Sequence, residues 1–195
     1  MNKPKILYAI QGTGNGHVAR AREIIPLLQK YAEVDVLISG NQSEIALPIK
    51  PRYSFKGVTM AYNENGGVSY SKSVFANNPF ATLREIYKLP VKEYNLVISD
   101  FEFIASWACK LKGKPCLAVS HQSAMVSKAV PQPIRKSIVG RLILKYYAPA
   151  NNRIGFHFKA YDSYIYTPII RAEIRNLKKE SEIQNLYSVY LPSYK

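Results

Sequence analysis

Two histidines and one carboxylate stand where this sequence could carry out proton chemistry: His17, Asp100 and His121. His17 follows the apolar run 6–10 by way of a glycine-rich turn, and Asp100 and His121 close the runs 95–100 and 115–121. Runs of this length and content suit buried parallel strands. In an open α/β sheet, ligands bind beyond the carboxyl ends of the strands, near the point where strand order reverses. Three strand ends would then present three titratable side chains to one edge. A histidine held by a carboxylate suits general-base work, because the carboxylate fixes the tautomer and stabilises the imidazolium. Each residue also has a plain structural reading. His17 could cap its helix, Asp100 could be the N-cap of the next helix, and His121 could bond loop backbone.

The turn itself is Gln11-Gly12-Thr13-Gly14-Asn15-Gly16-His17. Val18, Ala21, Ile25 and Leu28 follow on one face of a helix, so strand, turn and helix form the first half of a βαβ unit. Glycines at alternate positions allow positive φ angles, and the helix N-terminus favours an anion. A dinucleotide fingerprint would need glycine at the sixth position of the motif, where His17 stands, and an acid at the end of the second strand, where Ser39-Gly40-Asn41 stands. NAD(P) chemistry is therefore disfavoured.

The elements that must position these residues read as alternating strands and helices. A second strand covers 34–40, a third candidate covers 53–58, and a polar loop covers 63–73. Pro26 falls inside the first helix and predicts a kink or a late start there. Asn78-Pro79 gives an N-cap with proline at the first helical position, opening a helix to about residue 89. A helix over 104–112 stops at Gly113. Beyond the fifth strand, a helix is expected over 131–148, strands over 153–158 and 164–167, and a helix from Pro168 to about 178. The economical architecture is α/β: a Rossmann-like, doubly wound parallel sheet with helices on both faces.

Composition limits the function classes. The chain has 195 residues, is 47% apolar and only 21% charged, which is a globular balance. Its net charge of +14 is unevenly placed: from Phe103 to Tyr161 there is no Asp or Glu, yet ten Lys and Arg. Such a block attracts phosphates on a membrane, a substrate or nucleic acid. The helix within it repeats Ile134, Ile138, Leu142 and Tyr146, with cations on other faces. That stripe either packs inward or lies on an anionic membrane. Cys109 and Cys116 match no zinc spacing and read as buried thiols of a reducing compartment. No signal-peptide shape or bilayer-spanning run is present, so the expected location is the cytoplasm, free or peripheral at the inner face of the membrane.

The motifs together carry a family likeness. Gly12-Thr13-Gly14-Asn15-Gly16-His17 resembles the opening of GT-B glycosyltransferases, of the lipid-linked N-acetylglucosamine transferase (MurG) type and a related group of predicted UDP-sugar transferases. In that second group the resemblance extends to Ser99-Asp100-Phe101-Glu102, Ser120-His121-Gln122, Ile154-Gly155-Phe156-His157-Phe158 and Tyr190-Leu191-Pro192-Ser193-Tyr194. The resemblance implies an N-terminal acceptor domain over residues 1–186, with 187–195 beginning the linker or a C-terminal donor domain. It implies a UDP-sugar donor, a glycolipid or cell-envelope acceptor, and inversion with His17 as general base. Asp100 and His121 join His17 as implied catalytic residues, and Gly12, Thr13, Gly14, Asn15, Gly16, Glu102 and Gln122 line the implied substrate site. No metal and no cofactor are implied. The chain alone, without a donor domain, is expected to be inactive. The alternative is a non-catalytic basic α/β module on anionic lipid or nucleic acid; no nucleic-acid motif is present, so nucleic acid is the less favoured partner.

Overall fold

The computed structural model describes residues 3–40, 43, 45–58, 77–133 and 137–176. Among them, seven strands form one sheet with every pairing parallel. They are β1 (Lys5–Gln11), β2 (Glu33–Ser39), β3 (Tyr53–Phe55), β4 (Leu96–Asp100), β5 (Cys116–Ser120), β6 (Asn152–Phe156) and β7 (Ile165–Tyr166). The spatial order is β3-β2-β1-β4-β5-β6-β7. Order reverses between β1 and β4, which defines the switch point. Ile10 pairs with Asp100 there, so the sheet itself brings the end of β4 beside the glycine turn.

Both faces of the sheet are covered, and alternation along β1 shows why. Ile6, Tyr8 and Ile10 face helix α1 (Asn15–Gln29), meeting Val18, Ala21 and Ile25. Leu7 and Ala9 face the opposite way, toward α2 (Pro79–Lys88) and α3 (Phe103–Lys112), where Ile86, Ile104, Ala105 and Ala108 pack. A strand buried on both faces reads as an unbroken apolar run, which is how β1 looked in the sequence. The doubly wound fold with helices on both faces is therefore as expected.

Local signals explain the element ends. The Asn78 side chain accepts hydrogen bonds from the Phe80 and Ala81 amides at 3.0 and 3.2 Å, and Pro79 opens α2. Gly113 ends α3 in the left-handed region at φ 65°, where a side chain would be strained. Pro26 neither delays nor ends α1, which runs unbroken through it. Pro26 and Arg22 are both exposed, so water can take the carbonyl that proline leaves unpaired. Cys109 in α3 and Cys116 in β5 are buried free thiols, as read.

Several expectations need correction. The third strand is only Tyr53–Phe55; Gly57 turns the chain away at φ 62°. The 131–148 helix is shorter, α5 (Ile138–Tyr146), because the Ser137 hydroxyl caps it by accepting from the Gly140 amide. Pro168 opens no helix; the later helix, α6, covers Ala172–Arg175 after Arg171. His121 does not end a strand but begins a short helix, α4 (His121–Met125), capped by the Ser120 hydroxyl. Residues 134–136, most of the 63–73 loop's surroundings, the loop itself and the 187–195 segment lie outside the described residues.

Candidate active site

At the switch point, β1 runs into the turn and α1 begins at Asn15 with Gly14 as its N-cap. Gly14 is extended (φ −164°), and positive φ among the described glycines occurs at Gly40, Gly57 and Gly113 instead. The expected positive angles in the turn are thus absent. Glycine is needed at Gly12 for another reason: a Cβ there would lie 2.7 Å from the Gly40 carbonyl oxygen. The Gly12 amide donates to the Ser39 carbonyl at 2.6 Å, which clamps the turn onto the end of β2. At Gly14 and Gly16 a Cβ would meet nothing within 4 Å, so the first turn of α1 is open to an approaching group. Thr13 and Asn15 are turned inward, Thr13 accepting from the Gln11 amide and Asn15 from the Ser43 hydroxyl.

His17 does not cap its helix. Its Nδ1 lies 2.8 Å from Asp100 Oδ1. An ionised carboxylate only accepts, so the proton of this bond sits on Nδ1 and the lone pair is left on Nε2. Asp100 is fully buried and is gripped by Arg20, whose Nε donates to Oδ2 at 2.9 Å and whose Nη2 donates to Oδ1 at 2.7 Å. Burial disfavours the Arg20 charge, but the Asp100 carboxylate, by its charge and its hydrogen bonds, more than offsets this and holds the guanidinium above its ordinary range. Phe156 lies under the same guanidinium, 5.5 Å from ring centre to Cζ. Tyr8 sits beneath, and burial first, then the Asp100 charge, keeps its phenol protonated well above the usual range.

Asp100 and Glu102 part company through Phe101, the one non-glycine residue with positive φ (55°) among those described. This conformation costs about 1–3 kcal/mol and persists where packing imposes it. The Phe101 ring stacks on Tyr147 with centroids 4.9 Å apart. Asp100 thereby faces α1, while Glu102 turns back to cap α3. Its oxygens accept from the Ile104 and Ala105 amides and from the Ser39 hydroxyl. So Glu102, not Asp100, is the N-cap, and its carboxyl lies fully buried in the core rather than on a substrate surface.

Burial pushes the Glu102 acid up to about 7, against the pull of Ser39 and the two amides. An acid raised on folding binds its proton more tightly in the native state. The stabilisation is full below the unfolded value near 4.5 and is lost as pH rises through about 7. Urea unfolding of the parent and Glu102→Gln should therefore converge or cross in that window, the parent losing stability relative to the variant as pH rises. A difference independent of pH from 4 to 8 would refute this.

His121 makes no described bond to His17 or Asp100. Its Nδ1 is 2.7 Å from the Phe156 carbonyl, so it does bond backbone, and its ring stacks on His157 at 5.6 Å. It shares a groove of about 500 Å³ with Gly16, Arg20, His157, Phe158 and Ile170. Gln122 faces a different, smaller hollow beside Phe101 and Arg153.

A glycosyl transferase family 1 model matches residues 4–194. The chain belongs to that family. Two solved glycosyltransferases are similar to this family member in fold at 18% identity. One is MurG of Acinetobacter baumannii (TM-score 0.35, covering 69% of this chain and 43% of that one). The other is SsfS6, a Streptomyces sp. SF2575 glycosyltransferase (TM-score 0.40, covering 78% and 49%). The family 1 chain thus spans less than half the length of each. No curated protein matches it in sequence.

For a family 1 chain, the residue that sequence reasoning missed is Arg20. The signal was available: Arg20 lies three residues beyond His17, one helical turn along the same face. It went unread because charged residues on a surface helix are ordinarily solvated, and Arg20 was one cation among 27.

Proposed function

We propose that this chain is the acceptor-side domain of a glycosyltransferase that moves a sugar from a UDP-linked donor to an acceptor hydroxyl on a glycolipid or cell-envelope precursor, with inversion. The family supplies glycosyl transfer; the contact between His17 and Asp100, beside an open helix N-terminus at the switch point, supports a base on the acceptor hydroxyl and a place for a phosphate. In this reading His17 Nε2 takes the proton of the acceptor hydroxyl. The hydroxyl oxygen bonds to the anomeric carbon as the bond from that carbon to the diphosphate breaks, and the electron pair leaves with the nucleoside diphosphate. Attack opposite the leaving group inverts the centre. Asp100 stabilises the imidazolium that forms. The amides after Gly14 favour a phosphate of donor or acceptor. A metal has no role in this reading. Donor binding is assigned largely to a second domain beyond this sequence, so the 195-residue chain alone should be nearly inactive.

The test is transfer from UDP-sugars by the longest natural polypeptide that contains this chain, with the product's anomeric configuration read by NMR. An inverted product supports the mechanism, and a retained one overturns it.

The acceptor class draws support from α5. None of its residues is buried, and Ile138, Val139, Leu142 and Tyr146 are 68%, 41%, 49% and 46% exposed. The stripe points outward, within a segment that carries cations and no acids. A basic helix with an outward apolar face fits an anionic bilayer surface. No helix among the described residues is long and apolar enough to cross a membrane. Ile138→Asp/Leu142→Asp should release the protein from vesicles of anionic phospholipid, while the unfolding midpoint stays put. Unchanged co-sedimentation would remove membrane docking from the proposal. The rival reading, a non-catalytic basic module, predicts binding to lipid or nucleic acid that persists when His17 is replaced and no sugar transfer at all.

A further inference from the structure

Asp100 sits between two nitrogen donors of different kind, a guanidinium that keeps its charge and an imidazole that can gain or lose one. Arg20 reaches both carboxylate oxygens, at 2.9 and 2.7 Å, whereas His17 reaches Oδ1 alone, at 2.8 Å. The Arg20 Nη2 also stands 3.2 Å from His17 Nδ1. Both nitrogens carry protons in the arrangement that satisfies Asp100, so this is a contact between donors and not a hydrogen bond. The titratable groups facing His17 are Arg20 from α1, Asp100 from β4 and, beneath them, Tyr8 from β1 as a neutral phenol. His121 lines the same groove as Gly16 and Arg20 and is bonded to the Phe156 carbonyl.

We propose that Arg20 is a positioning residue: its two-point grip on Asp100 balances the carboxylate charge and holds its plane, so that His17 rests as a neutral imidazole with its proton on Nδ1. The charge arithmetic is direct. With Arg20 in place, the buried site carries one negative and one positive charge, and a proton added to His17 would sit against a fixed guanidinium. Without Arg20, the only cation available to the buried Asp100 is the imidazolium, and a buried carboxylate strongly favours acquiring one. A histidine held as imidazolium cannot accept a proton. The planar fork matters as well as the charge: Lys offers a point charge and cannot fix both oxygens at once.

As a refinement of the base role, this rests on the transfer reading, but its measurement does not. The chain has three histidines, so imidazole nitrogen resonances of a ¹⁵N-histidine-labelled sample can be assigned by single replacements. At one pH near neutrality, Arg20→Met should raise the ratio of imidazolium to neutral His17 about tenfold, the order expected from removing a nearby like charge. Arg20→Lys should raise it less, and should loosen the preference of the neutral form for Nδ1–H. His157, which makes no contact with Arg20 or Asp100 in any bond described, serves as the internal reference. An unchanged ratio in a folded Arg20→Met chain overturns the proposal. If that variant does not fold, Arg20→Lys decides: parent-like ratio and parent-like tautomer overturn it. If the ratio shifts as expected while the longest natural polypeptide containing this chain transfers no sugar, the transfer reading fails and the charge balance stands.

Discussion

Replacing the proposed base His17 with alanine in the longest natural polypeptide that contains this chain should lower the transfer rate by about 10²–10⁴-fold, the usual contribution of a positioned general base. The loss should fall on kcat, with little change in KM, because the base interacts with the acceptor proton only as the bond forms. The fold should survive. His17 is a partly exposed residue on the first turn of α1 that makes one described bond to a carboxylate, and Asp100 keeps both contacts to Arg20 when it is gone. The urea midpoint of His17→Ala should therefore stay close to the parent's, so lost activity can be assigned to chemistry. An alanine variant with parent-like kcat would remove His17 from the mechanism, whatever the product stereochemistry.

Asp100→Asn has the second large effect, and it falls on both stability and activity. The Asp100 side chain is fully buried and that of Arg20 is only 14% exposed, so screening by solvent is slight. An asparagine there leaves the guanidinium without its counter-charge. Breaking a buried pair from one side costs about 3–5 kcal/mol. The amide also presents N–H₂ or a carbonyl to His17, and an N–H₂ facing Nδ1 would move the imidazole proton to Nε2, leaving no base toward the acceptor. We expect a fall in unfolding free energy of about 3 kcal/mol together with loss of transfer. A variant as stable as the parent in urea would show that the Arg20–Asp100 pair contributes little, and would weaken the charge-balance argument with it.

These expectations rest on contacts that the sequence could only partly foretell. Strand ends were legible because apolar runs on doubly covered strands have no polar interruptions: Ile6–Ile10 and Leu96–Ile98 are unbroken until a polar residue closes the strand. The α2 start was legible because Asn78-Pro79 acts locally. The helix α5 was misjudged in length because Pro131 and the four-residue apolar repeat mimic a longer helix, while the Ser137 cap sets its start. The roles of Asp100 and Glu102 were also partly exchanged. Both are acids near one helix start, and only the left-handed turn at Phe101 sends one to α1 and the other to the α3 amides.

The sequence by itself determined the alternating αβ architecture, the open glycine turn followed by His17, and the candidacy of Asp100, because each depends on residue type and short-range spacing. Tertiary structure decided which partners meet. His17 and Asp100 are 83 residues apart, and they touch because β1 and β4 are neighbours at the switch point. The same packing bonded His121 to the Phe156 carbonyl in the groove that Gly16 and Arg20 also line, and buried Glu102. It also drew Arg20 out of the crowd of surface cations onto a buried carboxylate. Contact across a sheet depends on strand order and register, which no local pattern encodes.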